Sequence, residues 1–430
     1  MDGCLDGTCK ELMKILISPS RTPHGEQILA LLNGPQCTIR DTATGDGPLL
    51  MILRDTPCRR IGHSIVSRLV KDGFDPNERN HRGDTPLHRA VRQISDADIS
   101  VLQALLHAGA DIHARDYRGR TPLHYARLGG TTVVEFLISC GADLEAQDRA
   151  GETWLMSYIS RLYCMSLADV EGAIALGASV DTRDSHGRTI LHKLTGVPGL
   201  NFQEDTLRAF VRHGASPEAV DFRGNTLLHV AMSKFDLNVR ETDILLSWGL
   251  DMSSRNVAGR TPLHCLCAWT GVQQNGWDEA VAIVFDKADD LDVQDLQGIT
   301  PLHLACTCSE VMVERLLRAG SDASILTHQG LTCLHLAARC RQANALGTLL
   351  EHQRKVMPSR FAELVNSRDC TGRTPLHHAC RSGRVESVTL LLDEGADITA
   401  RDCKGRTPLW TCSEYDEEQK LWENTTSAAI

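Results

Sequence analysis

The chain has 430 residues, 42% hydrophobic and only 4% aromatic, with a formal charge of −10. That length exceeds what one compact core normally organises, so several domains or a repeat array are expected. The acid excess lies after residue 215, where 29 Asp and Glu face 21 Lys and Arg, and without a basic stripe nucleic acid is not an expected partner. The opening MDGCLDGTCK has neither the basic nor the apolar segment of a secretory signal, and no run of about 18 apolar residues predicts a membrane span. A cytoplasmic and/or nuclear setting that keeps the 16 cysteines reduced is expected.

In chain order, residues 1–40 hold CKELMKILI and GEQILALL, which read as a helix pair and a degenerate N-terminal capping repeat. DTATGDGPLL (Asp41–Leu50) then reads as a turn and helix start without a Thr. From there one phrase recurs: DTPLHRA from Asp84, RTPLHYA from Arg120, ETWLMSY from Glu152, RTILHKL from Arg188, NTLLHVA from Asn225 and RTPLHCL from Arg260. ITPLHLA from Ile299, LTCLHLA from Leu331, RTPLHHA from Arg373 and RTPLWTC from Arg406 complete it. Its Thr stands at 85, 121, 153, 189, 226, 261, 300, 332, 374 and 407, with a Gly two residues earlier each time. A second phrase precedes several copies, as in AGADIHARD ending at Asp116 and EGADITARD ending at Asp402. After position 412, EYDEEQKLWEN predicts a polar capping helix, and TTSAAI a frayed end.

The phrase has a physical reading. Thr caps a helix N-terminus by accepting a free backbone N–H, and Pro at the first helical position loses no hydrogen bond. Runs such as VLQALL (Val101–Leu106) have helical rather than strand periodicity. The Asp-x-x-Gly segments are turns, with Gly supplying positive φ. Each unit is therefore a turn, a short helix, a turn, a longer helix and a loop. In this the chain resembles the ankyrin-repeat family over about residues 40–412.

The resemblance implies an all-α solenoid of paired antiparallel helices with protruding β-turn fingers, about ten to eleven repeats plus caps. It implies that the motif His (His88, His124, His192, His229, His264, His303, His335 and His377) pins neighbouring turns and is not catalytic. It also implies a non-catalytic scaffold or adaptor for one or more partner proteins, held by finger tips and the concave face of the first helices. By register the tips are Tyr117, Arg118, Arg149, His186, Phe222, Arg223, His328 and Gln329, and the first-helix positions include Arg89, Tyr125, Lys193 and His378. Arg120, Arg188, Arg260 and Arg373, just before the Thr, either join that surface or pair with the Asp at the turn start.

Departures from the pattern mark individuality. WTGVQQNGW either exposes Trp269 and Trp277 as a binding knob or lets the two rings close an awkward loop. FAELV, in the insertion between Leu350 and Asp369, has the pattern of one helical turn burying Phe361 and Leu364; an extended loop is the simpler expectation. Trp154, in the Pro slot, is expected to distort its helix start and expose its ring.

No catalytic constellation emerges. There is no GxxxxGK[ST] phosphate loop and no GxSxG elbow. Cys265-x-Cys267 and Cys306-x-Cys308 lack zinc spacing, and equivalent slots in adjacent repeats lie on the order of 10 Å apart. Neither metal nor cofactor is expected. The competing expectation, an enzyme or small-molecule-handling repeat protein, requires a closed pocket, most simply near Trp269, Trp277 and the Cys-rich repeats of the C-terminal half.

Overall fold

Why the repeats stack follows from how each short helix is started. In a computed structural model, the structure describes residues 43–55, 67, 70, 74–93, 99–127, 131–160, 167–196, 204–234, 237, 239–268, 277–340 and 343–412. The expected caps at 1–40 and 413–430 lie outside the described residues. Among the described residues the chain is helical, without strands. It divides into two compact units: one runs to Leu194 and includes Asp205–Ser216, and the other holds the chain from Pro217 with the described residues of Thr195–Glu204.

In the first unit the motif helices are α1 (Pro48–Asp55), α2 (Pro86–Gln93), a 3-10 turn (Pro122–Tyr125), then α5 (Trp154–Ile159) and α7 (Ile190–Gly196). Second helices are α3 (Ser100–His107), α4 (Thr131–Ser139), α6 (Leu167–Ala175) and α8 (Glu204–Arg212). In the second unit the motif helices are α9 (Leu227–Met232), α11 (Pro262–Cys267), α13 (Pro301–Cys308), α15 (Cys333–Arg339), α18 (Pro375–Arg381) and α20 (Pro408–Thr411). They alternate with α10 (Val239–Ser247), α12 (Trp277–Lys287), α14 (Glu310–Arg318), α16 (Asn344–Val356) and α19 (Val385–Asp393); α17 (Phe361–Val365) is additional. In the second unit each motif helix packs on the next motif helix, from α9 through α20; α1, α2, the 3-10 turn and α5 do so in the first. The core between them is apolar, with Leu87, Leu102, Leu105, Leu123 and Leu137 fully buried in the first unit.

A Thr–His pair locks eight of the starts, from His88 to His377, while Met156 and Trp410 hold the His slot of α5 and α20. Thr261 sits in extended backbone before α11, and its N–H and hydroxyl both meet His264 Nδ1, at 3.1 and 2.9 Å. Two donors on Nδ1 leave the ring proton on Nε2. That N–H donates to the Ile299 carbonyl of the next repeat at 3.0 Å. His88 reaches Arg120 O, His124 reaches Glu152 O, His229 reaches Arg260 O, His335 reaches Arg373 O and His377 reaches Arg406 O in the same way. In α1, where Gly47 takes the Thr slot, the Glu78 carboxylate accepts the Leu50 N–H at 2.9 Å instead.

The fingers are pinned on their other side too. Arg115 NH1 donates to Gly119 O of its own finger and Gln147 O of the next, at 3.1 and 2.6 Å. Arg255 and Gln294 repeat this bridge in the second unit, and Arg368 does so further on.

Two expectations are corrected. Trp154 is buried, not exposed, and its helix starts regularly after an extended Thr153. The preceding repeat makes only a 3-10 turn and leaves helical backbone at Ala126, so the Ala126 carbonyl accepts the indole N–H at 3.2 Å. FAELV forms α17 rather than a loop, burying Leu364 and Val365; Phe361 stays partly exposed, with the Arg354 guanidinium over its ring.

Burial holds His264 down to about 4 and His335 down to about 3. Protons therefore enter the unfolded chain first as pH falls, so stability is full above about pH 6.5 and is lost toward pH 4. At about 1.4 kcal/mol per pKa unit, His264 alone contributes up to ~3 kcal/mol across that window. Denaturant midpoints at about pH 7 and about pH 5 should show the loss; a flat profile would refute it. His264→Ala should cost about 2–4 kcal/mol at neutral pH, because it strands the Thr261 N–H and the Ile299 carbonyl.

Candidate functional site

Every finger is a four-residue turn built on one Asp or its substitute. In the first unit, Asp116 Oδ1 accepts the N–H groups of Arg118 and Arg120 at 2.8 and 2.9 Å, and Gly119 N–H closes on Asp116 O. Successive tips are tied by single backbone bonds: Tyr117 N–H to Arg82 O at 3.0 Å, Arg149 N–H to Arg118 O at 2.9 Å, and Ser185 N–H to Ala150 O at 2.8 Å. The approach is so close that a Cβ on Gly151 would stand 2.4 Å from Ser185 N. In the second unit Val257, Leu296, His328, Cys370 and Cys403 each donate to the preceding tip.

The backbone of the tip is thus committed while its side chain is displayed. Tyr117 is 57% exposed in the first unit; Phe222, Val257 and Leu296 are 70%, 69% and 67% exposed in the second. Arg118, Arg149, His186 and Arg223 are exposed as well. Val257 and Leu296 were not singled out from the sequence, although their register position, that of Tyr117 and Phe222, was legible there.

The first-helix candidates behave differently. Four residues after the Thr, the side chain turns back onto the Asp of its own finger. Tyr125 OH donates to Asp116 Oδ2 at 2.6 Å, Lys193 Nζ reaches Asp184 Oδ2 at 3.0 Å, and His378 Nε2 meets Asp369 Oδ2 at 2.8 Å. Arg89 pairs with Asp46 at 3.6 Å. Tyr125 also lies under the Arg92 guanidinium, 4.0 Å from its centroid. Burial raises the Tyr125 phenol, as does its bond to Asp116. Burial also works against ionising Asp116, but the Tyr125 hydroxyl and two backbone N–H groups outweigh it and hold the carboxyl low.

Lys193 is the clearest case. It is 9% exposed, and its ammonium also meets Glu152 Oε1 at 2.5 Å. Glu152 occupies the slot before the Thr that is Arg in Arg120 and Arg188, so its charge is inverted there. Lys193, together with the Ser157 hydroxyl at 3.2 Å, compensates it. The Arg residues in that slot pair mostly with the Asp of the following finger: Arg120 with Asp148 at 3.0 Å, Arg260 with Asp295 at 3.3 Å and Arg373 with Asp402 at 3.7 Å. Arg188 instead takes its own Asp184 at 2.9 Å.

Trp277 is buried at the start of α12, with the Arg315 guanidinium 5.4 Å from its ring; Trp269 lies outside the described residues. Cys267, Cys306, Cys333 and Cys380 are buried and pack as small apolar groups, whereas Cys140, Cys370, Cys403 and Cys412 are exposed. Burial pushes the Cys265 thiol up to about 11 and Cys380 up to about 12. Cys333, in a Pro slot, is pulled down by its hydrogen bond with Cys306 and by His303, and it is fully buried. Among the described residues no group of three or more His, Cys, Asp or Glu could hold a metal, and no helix is long and apolar enough to cross a membrane.

Comparison with known proteins places these repeats in context. A family model for ankyrin repeats in three copies matches residues 58–148, 93–184, 272–360, 312–402 and 359–421, more than half of the chain. A mouse protein named B-cell lymphoma 3 protein homolog is 40% identical over 151 residues, 34% of this chain and 31% of that protein. The chicken nuclear factor NF-kappa-B p105 subunit is 34% identical over 161 residues, 36% of this chain and 15% of its own length. An Arabidopsis thaliana protein named E3 ubiquitin-protein ligase KEG is 27% identical over 256 residues, 58% of this chain and 13% of its own length. The chain thus spans less than a third of each of these relatives.

The buried pair sets a test of which first-helix residues serve the fold. Lys193→Met should destabilise the first unit by about 3 kcal/mol, because Glu152 loses its close cation and keeps only Arg120 at 3.9 Å, while Asp184 keeps only Arg188. Adding Glu152→Met should return part of that loss in urea unfolding. A single variant with wild-type stability would free Lys193 from this structural assignment.

Proposed function

The chain belongs to the ankyrin-repeat family, whose repeats generally mediate protein–protein interaction, and we propose on that premise that it is a non-catalytic scaffold gripping a partner protein with its finger tips. The observation that carries this reading is the division of labour at the fingers. Tip backbones are fixed by turn and neighbour bonds, while Tyr117, Phe222, Val257 and Leu296 project with most of their surface exposed. Aromatic, aliphatic and Arg side chains on a rigid frame suit a protein interface, since the fixed tip backbone needs little further ordering on binding. The first-helix side chains Tyr125, Lys193 and His378 are already bonded inside their own repeats, which favours the tips over the helix face. The eleven described cysteines are free thiols, which fits a cytoplasmic or nuclear protein in a reducing compartment.

Affinity purification from native lysate should test the tips unit by unit. One variant carries Tyr117→Ala, Arg118→Ala and Arg149→Ala; the other carries Phe222→Ala, Arg223→Ala, Val257→Ala and Leu296→Ala. Being exposed, these changes should each leave stability within about 0.5 kcal/mol, which circular dichroism melts can verify. A protein retained by the wild type should be lost, or held at least about tenfold more weakly, by one of the two variants. Identical capture by all three proteins would remove the tips from the interface.

A further inference from the structure

Among the described residues the last motif helix of the second unit, α20, presents a surface unlike those before it. In α20 the slot of the finger-pinning His holds Trp410, 53% exposed, beside Leu409 at 80%. A cleft of about 480 Å³ opens there, lined by Arg401, Lys404, Gly405, Arg406, Thr407 and Trp410. Its charges are unequal in commitment. Arg406 is neutralised by Asp402, with Nε at 2.9 Å and NH2 at 2.7 Å, and stacks on Trp410 at 5.6 Å. Arg401 gives NH1 to the Gly405 carbonyl, a neutral acceptor. The Lys404 ammonium has no partner among the described residues, although its backbone N–H caps Asp402. The cleft therefore carries a positive excess next to exposed apolar surface.

The sequence that follows Cys412 has the complementary composition. Glu414, Asp416, Glu417 and Glu418 put four acids in five residues with no base among them, and Leu421-Trp422 follow. At about 3.3–3.6 Å per residue, these four acids lie within roughly 20 Å of Cys412 along the chain. We propose that this segment of the chain, residues 414–422, docks on the end of its own second unit: the acids seat against Arg401 and Lys404, and Leu421-Trp422 cover Leu409 and Trp410. The segment thus supplies both acids for the cations and apolar cover for the exposed Trp410 and Leu409, and it occupies the cleft without any partner protein.

Zero-length carbodiimide coupling of the full chain, read by mass spectrometry, tests this. Isotope-light and isotope-heavy protein are mixed first. The expected result is an amide between Lys404 and one of Glu414, Asp416, Glu417 or Glu418, within one copy. It should fall several-fold in high salt and vanish in urea. Replacing the four acids by Gln and Asn should speed hydrogen exchange across residues 401–411 while the far end of the unit, residues 217–260, is unchanged. Light–heavy cross-links in place of the intramolecular one would assign the cleft to a second copy and overturn the proposal. So would coupling of Lys404 to the segment no stronger than in urea, or exchange at 401–411 that the four substitutions do not alter.

Discussion

A neutral imidazole with its proton on Nε2 is the constraint on which the rest depends. Nδ1 must accept from the Thr that starts its own helix, and Nε2 must donate to a carbonyl one repeat along. Six of the rings thus couple the direction of a helix to the position of the next finger, whereas at His303 burial opposes the charged form but the Cys333 thiol beside it outweighs burial and pushes the imidazole up. Protonation would take away the acceptor side, which is why burial and function of the ring agree: the low-dielectric interior keeps it neutral. With the fingers so placed, the bridging Arg and Gln on the opposite flank can span from one Gly carbonyl to the next repeat's backbone.

Charge within the repeats follows register rather than residue identity. The finger Asp caps its own turn with one oxygen, leaving the second for a nearby donor. That donor is a phenol in Tyr125, an ammonium in Lys193 and an imidazole in His378. Where the slot before the Thr changes sign a cation still arrives, from the following repeat at Glu152, which meets Lys193, and from its own helix at Asp84, which meets Arg92. Side chains that look like a varied binding face in sequence are in this way matched to partners within one or two repeats.

The fold was legible because the repeat itself is a physical statement. Thr, Pro, Leu and His at fixed offsets dictate a capped helix start, and Gly two residues earlier dictates the turn. The tips were legible in the same way, by counting from the Asp. What the sequence did not show was depth. Arg89, Tyr125, Lys193 and His378 share one register position, and that each turns onto a carboxylate rather than toward solvent depends on distances no spacing encodes. Trp154 was misread for a related reason: its place was decided by the neighbouring repeat, whose 3-10 turn left a carbonyl unclaimed. The segment FAELV was ambiguous because five residues are too few for periodicity to separate a helical turn from a loop.

The tip ladder has a consequence for how such a surface changes over time. Its cohesion comes from backbone N–H and carbonyl groups that every residue except Pro provides in full, together with a Gly beneath each approach. The residue standing on the tip is therefore nearly a free letter: Tyr, Arg, Ser, Val, Leu, His and Cys all occupy it here without altering the bond that holds it. On the reading proposed above, drift at these positions would rewrite what the protein recognises while leaving its stability almost untouched, so specificity and foldability would be inherited separately along the same few residues.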